Sequence, residues 1–387
     1  MECRKMKAGL IYEIESIKPH GPDHEYRVYW ETMAQIELAD RLGFDSVWTV
    51  EHHFLNEFSY CSAPEVFLAC VTQRTKQIRI GHGVVVLPFN HPVRVAERIA
   101  VLDIMSNGRV ELGTGRATTM DEMLGFGVPP EDTRPRWAEA VEAIPRMWRE
   151  DPFTMRGKYW TVEPPVSIIP KPIQKPHPPI WVAATSPNTF MLAAERGLGV
   201  LCFTLGVELP EVAKRIQLYR ERIKNPAPVG QTINNQVSMN IMGLIGDDAR
   251  ETEQIAREAA LWYVRKGFEL VSTVTQARQV DESYRYLNTA SRFDPAQITR
   301  DYYEFMKEGD LVAIGGPGEA IRVARKYHET GADQVLFFLQ YGAIPHERIM
   351  RSIELIGERV LPEIHSWKTA GGITNVEPAA RDAAARA

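Results

Sequence analysis

Glu51, His52 and His53 stand together at the end of an apolar, β-branched run, Asp45 to Val50. An acid beside two imidazoles can take up and release protons near neutrality, because histidine titrates there. If the run is a strand whose pleat continues, His52 and His53 point to opposite faces. One then faces the mouth of a barrel and the other the packing around it. A lone histidine in such a place is more often a satisfied structural group than a reactive one. The clustering of Glu51, His52 and His53 at a strand end favours chemistry. Their spacing argues against a metal: they are adjacent rather than four apart, and the next imidazoles along the chain are His82 and His91.

Three other stretches carry polar chemistry. Gly81 and Gly83 in GHGVVV suit either close approach of backbone to a flat ligand or a simple bulge. GTGRAT, residues 113–118, is a glycine turn followed by Arg116, a pairing that could hold a phosphate. It is not the dinucleotide fingerprint, because Thr118 stands where the third glycine would be, and an arginine capping a loop is the plainer reading. In VAATSPNT, residues 182–189, Thr185, Ser186, Asn188 and Thr189 crowd the start of a helix. An N-cap needs one hydroxyl; several fit an anion site, where free N–H groups and the helix dipole favour negative charge. With Arg116 and Arg134 in reach, a phosphate is the natural occupant.

These residues need a scaffold that brings strand ends together. Strand-like runs at 8–14, 45–50, 78–88, 110–115, 179–185, 199–204, 234–245 and 333–339 alternate with helical periodicity. That pattern predicts an α/β fold, a (β/α)8 TIM barrel of parallel strands with its active face at the carboxyl ends. Ser62 reads as the N-cap of a helix opening at Ala63-Pro64. Residues 117–178 break the rhythm and read as an insertion; within them, the proline-rich 164–179 excludes regular structure. Residues 266–310 show no clean periodicity and read as a lid. The expected domain spans 1–365, with a frayed tail from there to 387.

Composition bounds the partners. The 387 residues hold 44% hydrophobic and 25% charged side chains with a net charge of -5, so nothing draws the chain to nucleic acid or an anionic membrane. Cys3, Cys61, Cys70 and Cys202 are scattered and read as reduced thiols, and Met1 to Lys7 carries no apolar leader. A cytoplasmic enzyme is the expectation.

The ordered set of EHHF (51–54), VLPxxHPVRxAE (86–97), LDxMSxGR (102–109) and AAERG (193–197) resembles the bacterial luciferase-like flavin monooxygenases over nearly the whole chain. The resemblance implies a TIM barrel, usually a homodimer, that binds reduced FMN from a separate NAD(P)H:flavin reductase. It would oxygenate a small, largely apolar aldehyde or ketone with O2 through a flavin C4a-hydroperoxide. It implies His52 as the active-site histidine with His53 beside it, and a non-prolyl cis bond between Gly83 and Val84 beneath the flavin ring. Arg116, Arg134, Ser186 and Thr189 match its phosphate clamp, and Thr185 its backbone contacts. Glu51, Thr118, Ala184 and Trp262 complete the implied cofactor set. Where luciferase has a reactive cysteine, this chain has Gly115. A branch of the same superfamily uses the deazaflavin F420 for hydride transfer, and a non-catalytic flavin-binding partner subunit is a third reading.

Overall fold

A computed structural model describes residues 4–204, 207–275, 284 and 298–376. Eight parallel strands form the barrel: β1 (Lys7–Tyr12), β2 (Ser46–Thr49), β3 (Arg79–Val86), β4 (Val110–Gly115), β5 (Ile180–Ala183), β6 (Gly199–Cys202), β7 (Val237–Ile245) and β8 (Gln334–Phe338). Seven lie within a stretch that periodicity marks as a strand, and β1 starts one residue ahead of its 8–14 run. The ring closes because β7 pairs with β6 on one side, Val237 opposite Val200, and with β8 on the other, Ser238 opposite Gln334. A further strand, Val312–Gly315, pairs with the far end of β7 and stands outside the ring. Around the barrel lie α1 (His24–Leu42), α2 (Pro64–Arg74), α3 (Pro92–Met105), α4 (Pro130–Arg149), α5 (Pro187–Glu195), α6 (Leu209–Arg222) and α7 (Ala249–Thr275).

Inside the barrel two indoles, Trp48 and Trp181, meet edge to face with ring centroids 5.6 Å apart. Glycines make the room: Gly81 lies in register with Trp48, and Gly199 with Trp181. A Cβ at Gly81 would fall within the Trp48 ring, and one at Gly199 against Trp181. Gly81 therefore serves the core rather than a ligand, which separates it from Gly83. Gly81→Ala should cost about 2 to 3 kcal/mol through displacement of the Trp48 ring, read as a lower urea midpoint.

Four local expectations change. Ser62 does not cap α2; the N-cap position is Ala63, which makes no side-chain cap bond, and Pro64 needs no donor. Part of the proline-rich stretch is regular, since Thr161–Val166 pairs antiparallel with Phe153–Arg156. A two-stranded ribbon is all edge, where proline's missing N–H is tolerated. The expected lid is helical at both described ends: α7 continues to Thr275, and Arg300–Glu308 is a helix. Val264, Phe268 and Val271 carry the apolar stripe past Gly267. Residues 276–283 and 285–297 of that segment lie outside the described residues.

The tail is the fourth. Lys368–Thr369 pairs with Arg4–Lys5, and Gly372–Asn375 with Thr232–Asn235, so two short ladders run beside the chain just before β1 and β7. The expected fraying from 365 therefore does not begin there, and residues 377–387 lie outside the described residues. Among the described residues no helix is long and apolar enough to cross a membrane.

Candidate active site

The carboxyl ends of the strands surround a cavity of about 610 Å³. Its wall follows from the period-two pleat: Ile11 and Glu13, then Trp48, Val50 and His52, then Ala183 and Thr185, Leu201 and Phe203, Leu336 and Phe338 all line it. On β2 the residues of opposite parity, Glu51 and His53, face away. Glu51 accepts the Val86 amide and the Asn90 side chain, each at 2.8 Å, and meets His53 Nε2 at 3.1 Å. The His53 ring lies edge-on to Phe126 at 4.7 Å. Glu51 and His53 thus brace the end of β2 against the end of β3 and do not line the cavity.

His52 does line it, held between two carboxylates. Its Nδ1 is 3.0 Å from Glu122 Oε1, and its Nε2 is 3.7 Å from Glu13 Oε2. Glu122 is wholly buried on a short helix, Met120–Gly125, and it also accepts the His53 amide at 3.1 Å and the Thr119 hydroxyl at 2.6 Å. Tyr263 donates to Glu13 Oε1 at 3.3 Å. Burial alone would hold the imidazole neutral, but the charge and hydrogen bond of Glu122, with Glu13 and Glu51 behind it, push its pKa up to about 9. Glu122 itself resists burial through the adjoining imidazole and its hydrogen bonds and titrates below the usual carboxylate range. Burial lifts the Glu13 carboxyl above that range, against the opposing pull of His52 and Tyr263.

The stretch of wall after β4 and β5 is built for negative charge. Arg116 follows β4, lies over the Tyr284 ring at 4.5 Å and reaches Thr133 Oγ1 at 3.4 Å. Thr118, Thr185 and Ser186 line the cavity beside it. Ser186 caps α5, accepting the Thr189 amide at 3.3 Å with the Thr189 hydroxyl at 2.9 Å. Arg215 of α6 also lines the cavity and binds the Thr185 carbonyl and Glu211. Between the two walls, Gly83 and Val84 present a peptide that is cis. A Cβ at Gly115 would run into the Val84 side chain, so the residue standing in for luciferase's cysteine has to be small here.

Residues 15–334 match the luciferase-like monooxygenase family. The chain belongs to that family. It is 29% identical over 368 residues to the oxygenase component of a flavin-dependent trigonelline monooxygenase of Acinetobacter baylyi, covering 94% of this chain and 97% of that one. Among solved structures it resembles the oxygenating constituent of 3,6-diketocamphane monooxygenase of Pseudomonas putida, in complex with FMN. That likeness has a TM-score of 0.73 at 18% identity over 94% of this chain and 100% of the other. An F420-dependent secondary alcohol dehydrogenase, with an F420-acetone adduct, shares the fold at a TM-score of 0.67 and 18% identity, covering 93% and 99%.

Of the residues singled out from sequence, the cavity gathers His52, Gly83, Val84, Arg116, Thr118, Thr185 and Ser186. Thr189 reaches it through Ser186. Arg134 is half-buried on α4 and is not on the wall; Ala184 is buried with its amide on the Leu201 carbonyl at 2.9 Å. Trp262 packs on the core, and the neighbouring Tyr263 takes the place on the wall. Sequence reasoning missed Glu13, Glu122 and Arg215. The pleat parity that separates His52 from His53 also points Glu13 inward, two residues after Ile11. Glu122 had a weaker signal, as the third residue after a threonine that opens a helix.

Proposed function

We propose that this family member is the oxygenase component of a two-component system. It takes reduced FMN from an NAD(P)H:flavin reductase in the cytoplasm and uses O2 to oxygenate a small, largely apolar organic substrate, aldehyde or ketone in type. The proposal includes a homodimer. The observation that carries it is one cavity joining a cationic, hydroxyl-rich wall to an imidazole held between carboxylates. Its volume suits a cofactor with a flat ring. The wall of Arg116, Thr185 and the Ser186 helix start fits a phosphate tail. Arg134 and Thr189 would support that clamp, and the Gly83–Val84 peptide would face the ring. Thr118 and Ala184 lend positions beside it, while Glu51 and Trp262 act from behind the wall.

When bound, reduced flavin supplies two electrons and activates O2, so that one oxygen atom enters the substrate and the other leaves as water. The chain contributes positioning and proton control. Glu122 fixes the His52 ring and keeps Nδ1 protonated, which leaves the proton on Nε2 facing the cavity. Leu201, Leu336 and Phe338 exclude water from the reacting centre.

Anaerobic titration of the protein with reduced FMN, followed by calorimetry, tests the reading, with F420 titrated in parallel. Saturable FMN binding is expected. Arg116→Ala should weaken it roughly 10- to 100-fold, the worth of a hydrogen bond to a charged group. Tight binding of F420 with none of FMN would move the protein to hydride transfer, and binding of neither would end the proposal.

A further inference from the structure

Oxygenation with release of water takes two protons together with two electrons, and His52 can release only one toward the cavity, because Glu122 holds its Nδ1. At the other nitrogen of the ring stands Glu13, just past the end of β1 and in the cavity wall. Its Oε1 accepts the Tyr263 hydroxyl at 3.3 Å. Its Oε2 is buried, makes no hydrogen bond and lies 3.7 Å from His52 Nε2.

The two distances on one imidazole separate the two carboxyls. Glu122, at 3.0 Å, is close to the usual place of an ionised acceptor of a charged N–H, about 2.7 to 2.9 Å. Glu13 is not. A carboxylate closes on an imidazolium, whereas a carboxyl that keeps its own proton presents a second donor to the Nε2–H, and two donors stay apart. The surroundings act in the same sense. Glu13 is flanked by Glu15, buried with its carboxyl accepting the Gly342 amide at 2.7 Å, by Tyr263 of α7, by the buried Cys61 thiol and, across His52, by Glu122. One imidazolium does not neutralise two carboxylates, and in a buried setting the second keeps its proton. Burial pushes the Glu13 carboxyl up, against the pull of His52 and Tyr263.

We propose that Glu13 is the proton-carrying partner of His52: protonated at rest, it passes its Oε2 proton to Nε2 once Nε2 has given its own to an oxygen at the reacting centre. In the first transfer the Nε2–H bond breaks and an O–H bond forms in the cavity. In the second the Glu13 O–H bond breaks and the Nε2–H bond re-forms. That leaves a carboxylate, which the imidazolium and the Tyr263 hydroxyl stabilise. His52 then delivers the second proton. Both groups are restored by the two protons that reduced flavin releases on oxidation, so no further reactant enters. Glu13 acts through His52, as a positioning residue for its proton. The assignment rests on the oxygenase reading and supplies the second proton it needs.

Infrared difference spectra of the FMN-free full chain at neutral pH, wild type minus Glu13→Gln, test for the proton itself. A carboxylic-acid C=O band is expected, since Gln keeps the shape and the acceptor for Tyr263 but carries no acid. Product formation by Glu13→Gln should fall about 100-fold, the low end for a positioned proton donor, with FMN affinity unchanged. Glu13→Asp should regain part of the rate, which packing alone would not allow, because Asp fills the site less well than Gln. An ionised-carboxylate band in place of the acid band, or a Gln variant at the wild-type rate, overturns the assignment. Should Glu13→Gln fail to fold, the wild type minus Glu13→Asp spectrum reads the same proton. Failure of FMN to bind would remove the oxygenase reading instead, and the acid band in FMN-free protein would still report on Glu13.

Discussion

His52→Ala should slow substrate oxygenation by about 100- to 10,000-fold, the range for loss of a positioned proton donor or acceptor, with FMN affinity unchanged. The reason is where the ring stands. Its Nδ1 is occupied by Glu122 at 3.0 Å, so its only face toward the cavity is Nε2. Arg116 and Ser186 follow β4 and β5, and neither shares a hydrogen bond with the ring. Parallel measurement of product formed and O2 consumed is the informative assay. The variant is expected to consume O2 from bound reduced flavin while forming little product. His53→Ala is the control, because His53 packs on Phe126 outside the cavity and should alter stability more than turnover. A His52→Ala enzyme that forms product at the wild-type rate would remove the imidazole from the chemistry.

The barrel was legible because its strands are short apolar runs between glycine and proline turns, and helical periodicity lies between them. The closing pairs of β7 with β6 and β8 were not, since register depends on partners distant in sequence. What escaped were elements whose signal is weak by nature. Val312–Gly315 and the ladder strands near 368–375 are two to four residues long, too short for a period to show. The continuation of α7 was hidden by Gly267 and by charges that occupy its outer face. In the site, His52, Arg116 and Ser186 announced themselves by residue type at strand ends. Glu122 did not, because a carboxylate near an ordinary helix start is common, and only the fold carries it across 70 residues of sequence to the imidazole. The separation of Gly81 from Gly83 likewise needed the barrel interior, where one glycine meets Trp48 and the other the cavity.

Between pH 6.5 and 10 the protein should lose about 3 kcal/mol of unfolding free energy through His52 alone, and Glu122→Gln should flatten that loss. The imidazole titrates near 9 in the fold against an ordinary value of 6.5. A base with a raised pKa stabilises the fold fully below its unfolded value, and that contribution vanishes as pH rises through the folded one. Glu122 works in the other window: its lowered pKa stabilises above the ordinary carboxylate value and is lost as pH falls through the folded one. The pair therefore contributes most between roughly pH 4.5 and 6.5. Glu13 and Glu15 add to the alkaline decline, because burial raises both carboxyls and their ionisation on the way up opposes folding. Urea unfolding at pH 6.5 and pH 10 reads the difference, and the His52 ring resonances report the titration directly. In Glu122→Gln the neutral amide cannot hold the imidazolium, so the His52 midpoint should fall toward its ordinary value and stability at pH 6.5 should drop toward that at pH 10. A midpoint that stays near 9 in that variant would mean that Glu13, and not Glu122, keeps the proton on the ring.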